Sequence, residues 1–196
     1  MRRAAACAVI LGLWTLVAQA APGKKAGPFE RAARLAGYGL AHSLFSISDD
    51  GELRAGTLIP LAFSEGADGK RKLTRFLKDE RDLAQGVAMG SAYLEQNPDG
   101  AQRTVLVFDG MMSREHRHDA LIAIVYEYGP PLRALEIIVP FQPSWGKRGP
   151  IVGKPRFQRS RAVDEPAELL SRRFSDGVNE HPKGAELWAR FYHDRL

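Results

Sequence analysis

The chain has 196 residues, of which 44% are hydrophobic and 26% are charged, with a formal net charge of +5 and one cysteine, Cys7. A chain of this length is enough for one globular domain that buries about 70% of its unfolded surface. With no internal repeat, no low-complexity tract and only one cysteine, the sequence excludes solenoid, disordered and disulfide-stapled classes of protein.

The N-terminal segment has the pattern of a secretory signal peptide. Arg2 and Arg3 precede an apolar run over 4–17, and Ala18-Gln19-Ala20 follows as an A-x-A cleavage signal. The run of 14 residues is shorter than the roughly 20 that a membrane-spanning helix needs. We therefore expect residues 1–20 to be a signal peptide that is cleaved after Ala20, with an uncleaved anchor as the alternative.

Cleavage would change the chemistry of the mature chain. Cys7 would leave with the peptide, which excludes a thiolate nucleophile and cysteine-bound metal. Loss of Arg2 and Arg3 lowers the count of Lys and Arg from 28 to 26, against 23 acidic residues, for a net charge of +3. The sequence thus predicts a secreted or periplasmic protein with no membrane span after cleavage, which suits a bacterial cell envelope.

Hydrophobic periodicity predicts one α+β domain after a linker over 21–27. Apolar residues at three- and four-residue spacing predict a first helix over 28–47, and 57–64 and 71–77 are typical of a hairpin. Pro60 lies inside the first of these strands and indicates an edge strand or a bulge. A helix over 78–96, a three-strand meander (103–109, 118–128 and 132–141), a basic loop over 146–161 and two short helices (166–174 and 185–194) follow.

This order predicts a two-layer α+β fold, in which a mostly antiparallel sheet of about five strands packs against a long helix. The strand over 118–128 is apolar on both faces, which is typical of a central strand that is covered on each side. We place the core in 28–142, and assign 143–196 to the basic loop and the C-terminal helices of the same domain, 28–196.

Three short segments, 58–63, 119–124 and 138–141, carry a resemblance to a group of known sequences. They read LIPLAF, DALIAI and IVPF, and they resemble corresponding stretches in uncharacterised bacterial α+β proteins. The resemblance implies a Pro-aromatic strand, a helix and a three-strand meander. It implies no activity.

Histidines and acidic residues are densest over 115–119, which reads EHRHD. In an extended chain His116 and His118 project to the same side and could share a metal ion, although a catalytic zinc also needs a third protein ligand. A solvated hairpin end is the competing interpretation. Asp109 at a strand end is compatible with a phosphoryl-transfer nucleophile, but an Asp-Gly turn with Gly110 explains it more simply.

Other patterns for catalysis are absent from the sequence. There is no G-x-S-x-G elbow, and the adjacent His42 and Ser43 project about 100° apart on a helix, so they do not form a nucleophile–base pair. His181 and His193 lie in C-terminal segments. The sequence therefore predicts no catalytic residues and no cofactor.

The segment 146–161 has six basic residues and no acidic one, with Trp145 and Phe157 near its ends. Cations beside aromatic rings suit an anionic surface, and export makes nucleic acid an unexpected partner. We predict an anion-binding segment that consists of Lys147, Arg148, Lys154, Arg156, Arg159 and Arg161.

Two functions follow from these patterns. The first is a non-catalytic binding module of the bacterial cell envelope, whose partner is an anionic envelope component or another protein. The alternative is a small metal-assisted hydrolase that uses His116 and His118.

Overall fold

The computed structural model describes residues 29–48, 58–77, 82–112, 119–142 and 150–194. Four helices and seven strands occur in these ranges, and they confirm the α+β class. In chain order they are α1 (Glu30–Ser46), β1 (Leu61–Glu65), β2 (Arg71–Arg75), α2 (Leu83–Gln96), β3 (Arg103–Met111), β4 (Asp119–Glu127), β5 (Arg133–Gln142), β6 (Ile151–Val152), β7 (Arg156–Arg161), α3 (Ala167–Glu180) and α4 (Gly184–Phe191).

All strand pairs are antiparallel, and the strands follow the order β2-β1-β3-β4-β5-β6. β7 also pairs with β5, on the edge that β4 leaves open. The expected hairpin (β1–β2) and meander (β3–β4–β5) are both present. The expectation of about five strands was too low, because part of the predicted basic loop is β6 and β7.

Helices cover both faces of the sheet, so the fold has three layers and the predicted two-layer arrangement was wrong. Val105 and Val107 of β3 face the core beneath α1, α3 and α4. Leu106 and Phe108 face the opposite way and pack in a smaller cluster with Leu94 of α2. This alternation explains why the central strands are apolar on both faces.

Two predicted boundaries were wrong for local reasons. Pro60 indicated an edge strand or a bulge within a strand over 57–64, but β1 begins at Leu61 and lies between β2 and β3. Pro60 precedes it, and its carbonyl accepts the Phe76 N–H at 2.8 Å. The second helix begins at Leu83, because the side chain of Asp82 caps it by accepting the Gln85 N–H at 3.0 Å. No helix in the described ranges has the length and apolarity to cross a membrane.

The C-terminal helices belong to the larger core. Leu170, Phe174 and Trp188 are buried against α1 and the sheet. α1 and α3 approach closely at two glycines: a Cβ on Gly177 would lie 1.8 Å from the carbonyl oxygen of Arg34, and one on Gly37 would lie 2.0 Å from that of Phe174. This contact requires hydrogen in place of a side chain at both positions.

A row of alternating charges, here called the charge ladder, crosses five strands beneath α1 and α3. Direct cross-strand partners alternate in sign, and the guanidinium of the fifth strand reaches a carboxylate before α3. The members are Arg71 (β2), Glu65 (β1), Arg103 (β3), Glu127 (β4), Arg133 (β5) and Glu165.

The ladder lies in a region of low solvent access. Arg103 is 4% exposed, Arg133 is 7% exposed and Glu65 is 8% exposed. Burial raises the pKa of Glu127 above its usual value, and the guanidinium groups of Arg133 and Arg103 only partly offset the rise. Buried ion pairs of this kind add little net stability, but removal of one partner leaves an uncompensated charge in the core.

We predict that Glu127→Gln lowers the free energy of unfolding by about 3 kcal/mol, because the buried Arg103 and Arg133 each lose one of their two carboxylate partners. Urea denaturation measures the change. The control is Glu186→Gln, which removes the carboxylate of an exposed pair with Arg190 on α4 and should cost at most about 0.5 kcal/mol. Equal small effects of the two changes would contradict a structural role for the ladder.

We predict that Gly177→Ala lowers the free energy of unfolding by about 3 kcal/mol, since α3 must move away from the backbone of α1. The better helix propensity of alanine, about 1 kcal/mol, opposes this cost without cancelling it. Gly129→Ala is the control, because a Cβ there meets nothing within 4 Å. A thermal melt of each variant decides the matter, and a Gly177→Ala protein as stable as the control would show that the helices part freely.

Candidate functional site: the basic edge strand

β7 forms one edge of the sheet and carries most of the described cations of the predicted anion-binding segment. Its residues Arg156, Gln158 and Arg159 lie opposite Ile138, Glu136 and Leu135 of β5. Arg156 is exposed, as are Arg159 and the preceding Lys154, whereas Arg161 is half-buried. The structure therefore places four of the six predicted residues along a single strand edge.

The four cations lack carboxylate partners within the described part of the chain. No ion pair there involves Lys154, Arg156, Arg159 or Arg161. Arg159 donates from Nη2 to the backbone carbonyl of Glu165 at 2.6 Å, which fixes its guanidinium without neutralising its charge.

The opposite edge strand, β2, is also basic, but two of its three cations pair with carboxylates. Arg71 forms ion pairs with Glu65 and Glu180, at 2.9 Å each. Lys72 pairs with Asp99 at 2.7 Å, and Arg75 contacts His42. The comparison separates the two edges, because Arg71 and Lys72 of β2 pair with carboxylates, whereas the β7 cations have no such partner in the described part of the chain.

Sequence reasoning assigned 146–161 to a loop, and the structure corrects this for β6 and β7. β7 has no apolar alternation, since its exposed edge position lets polar residues occupy both faces, and Pro155 precedes it. The arginine-rich sequence of β7 therefore lacks the alternation of polar and apolar residues from which a strand is predicted. Lys147 and Arg148 lie outside the described residues, so their part in the site stays a prediction.

The predicted metal ligands His116 and His118 also lie outside the described residues, and the metal site remains a prediction. In the described ranges no three His, Cys, Asp or Glu side chains are placed to hold a metal ion. Asp109 and Gly110 do not open a turn as predicted. They lie within β3, which continues to Met111, opposite Leu121 and Ala120 of β4.

A buried pair of histidines, which sequence reasoning missed, joins α1 to the C-terminal helices. His42 Nδ1 lies 3.0 Å from His181 Nε2, and the residues are 8% and 5% exposed. The Gly184 N–H donates to His181 Nδ1 at 2.8 Å. Since that nitrogen accepts, a neutral His181 has its proton on Nε2 and donates it to His42. The hydroxyl of Ser43, which follows His42 on α1, donates to the Gly39 carbonyl.

The pair packs among aromatic rings and bonds to the backbone before α4. The rings pack with Phe63, whose centroid lies 5.0 Å from that of His42, and with Tyr38, 5.1 Å from His181. Burial lowers the pKa of His181. A second proton on His181 would also remove the acceptor for Gly184, so the junction requires a neutral ring.

No known family model, curated protein or solved structure matches this chain. The resemblance to uncharacterised bacterial α+β proteins therefore stays a prediction, and functional inference rests on the site itself.

We predict that stability falls as the pH falls from about 7 to 5, in part through His181. The unfolded chain takes up a proton at the usual pKa of about 6.5, whereas folded His181, with its lowered pKa, resists it. His181→Asn keeps an acceptor near Gly184 and removes this titration, so its stability should fall less over the same range. Urea denaturation at each pH tests this, with exposed His193→Asn as the control that retains the wild-type slope.

Proposed function

We propose that the protein is a non-catalytic binding module whose basic edge strand, β7, engages an anionic partner. One observation carries the proposal: β7 and Lys154 present cations with no carboxylate partner among the described residues, while Arg71 and Lys72 of β2 pair with carboxylates. Clustered cations of this kind raise the local concentration of anions and increase the rate of association.

The sequence over 1–20 supports delivery of this module to the bacterial cell envelope. That segment lies outside the described residues, so secretion is part of the proposal. An exported protein meets anionic envelope components and other envelope proteins rather than nucleic acid. The strand's charge suits both, and the chemistry shared by these partners is a dense array of anionic groups.

We predict that a triple variant, Lys154→Ser/Arg156→Ser/Arg161→Ser, elutes from a heparin column at lower salt than the wild-type protein. Each basic residue near an anionic surface contributes about 1 kcal/mol, so the affinity should fall about a hundredfold at low salt. Arg159 is left in place because it bonds to Glu165 and helps to position the strand.

The matched control removes the same charge elsewhere. Arg31→Ser/Arg172→Ser/Arg190→Ser changes three exposed arginines on α1, α3 and α4. This control should elute near the wild-type position if the β7 cluster forms the site. Equal shifts in the two triple variants would reduce the effect to net charge and overturn the proposal.

A further inference from the structure

The outer edge of β7 has backbone groups free to bind another strand, and the hydrogen bonding of β5 shows which they are. The Gly153 N–H donates to the carbonyl of Pro140 at 2.7 Å. The backbone of Pro140 therefore points away from β4, toward β6 and β7. Because polar groups alternate along a strand, Ile138 and Glu136 also direct their N–H and C=O groups toward β7.

This alternation continues across the pair. Arg156 and Gln158 lie opposite Ile138 and Glu136, and they must turn their N–H and C=O groups inward to complete those bonds. Phe157 and Arg159 then direct theirs outward, and no described strand pairs with that edge. The edge offers two donors and two acceptors in the spacing of a β-ladder.

The cations lie on both faces of this edge. Arg156 and Arg161 stand on the face that includes Ile138 and Ala134, whereas Arg159 stands on the face of Leu135, the side of the sheet on which α3 packs. A flat anionic surface laid on one face would miss the other set. An extended segment that runs along the edge reaches both, because its own side chains also alternate between faces.

A second copy of this chain does not suit the edge. Pairing two β7 strands would bring the arginines of one against those of the other, and like charges on paired strands destabilise a sheet. Exposed charge on edge strands is a common protection against self-association. The same charge favours an acidic occupant.

We infer that β7 binds an extended, acidic segment of a partner protein as an added antiparallel or parallel strand. The inference rests on the proposed function and makes it more specific. Backbone hydrogen bonds to Phe157 and Arg159 would supply affinity, and Arg156, Arg159 and Arg161 would select acidic side chains.

The test compares two substitutions at one position, Arg159→Pro and Arg159→Ser. Both remove the same charge and the same bond to Glu165, but only proline also removes the outward N–H. Edge strands tolerate proline where the N–H faces solvent, so both variants should fold. Circular dichroism and a thermal melt check this, and Phe157→Pro repeats the comparison against Phe157→Leu if Arg159→Pro does not fold.

The probe is a fluorescent peptide of alternating threonine and glutamate, with its binding measured by anisotropy. Arg159→Pro should bind it about tenfold more weakly than Arg159→Ser, which corresponds to the loss of one backbone hydrogen bond and of close strand approach. The same peptide with N-methylated alternate amides should lose affinity for the wild-type protein to a similar extent. Wild-type Phe157 and Arg159 amides should gain protection from hydrogen exchange when the unmodified peptide binds.

The outcomes separate this inference from the proposed function. Strand addition would be overturned if Arg159→Pro and Arg159→Ser bound the peptide with equal affinity, or if the wild-type protein bound both forms of the peptide equally. Electrostatic attraction alone would then account for binding. Heparin retention that depends on β7, without any peptide binding, would likewise overturn the inference and favour a polyanion as partner. If the β7 triple variant kept both its heparin retention and its peptide binding, both proposals would be overturned.

Discussion

The charge ladder is the constraint on which the rest of the structure depends. Glu65, Arg103 and Arg133 are buried and Glu127 is half-buried, and each stands directly opposite a residue of the other sign on the next strand. If β4 slipped by one residue against β3, Glu127 would leave Arg103 and turn toward the other face of the sheet. The apolar residues of the meander favour several registers, but the observed one places every charged strand residue of the row opposite a residue of the other sign. The ladder thus selects an alignment rather than adding much stability.

The last step of the ladder links this alignment to the candidate site. Glu165 accepts from Arg133 through its carboxylate, at 3.1 Å, and from Arg159 through its backbone carbonyl, at 2.6 Å. One residue therefore connects the buried row to the exposed basic strand. Because Glu165 also precedes α3, the position of β7 is coupled to the docking of α3 on α1, which the two glycines and the histidine pair hold in place.

Much of the fold could be predicted from the sequence because its elements have strong local patterns. The strands of the meander either alternate polar and apolar residues or are continuously apolar. Asn97, with a φ of 45°, ends α2 at the expected place. Features set by distant residues could not be predicted. His42 and His181 are 139 positions apart, and Glu65 meets Arg103 only after two strands align. The site was found in part, since charge identified four β7-region cations, while its strand conformation has no hydrophobic period to reveal it.

The contrast between the two sheet edges follows from the ladder as well. With Arg34 and Glu180 joined to it through Arg71, the network has four arginines and four glutamates, so its charges balance. Arg71 of β2 belongs to this network, so ion pairs with Glu65 and Glu180 join that edge strand to the interior. At the other end the row closes on Glu165. The segment from Gly146 to Arg161 contains no acidic residue, and in the described part of the chain Glu136, which lies opposite Gln158, forms no ion pair with β7. The network thus includes a cation of one sheet edge, Arg71, and reaches the other edge only through the backbone carbonyl of Glu165, which leaves the charge of Arg159 in place.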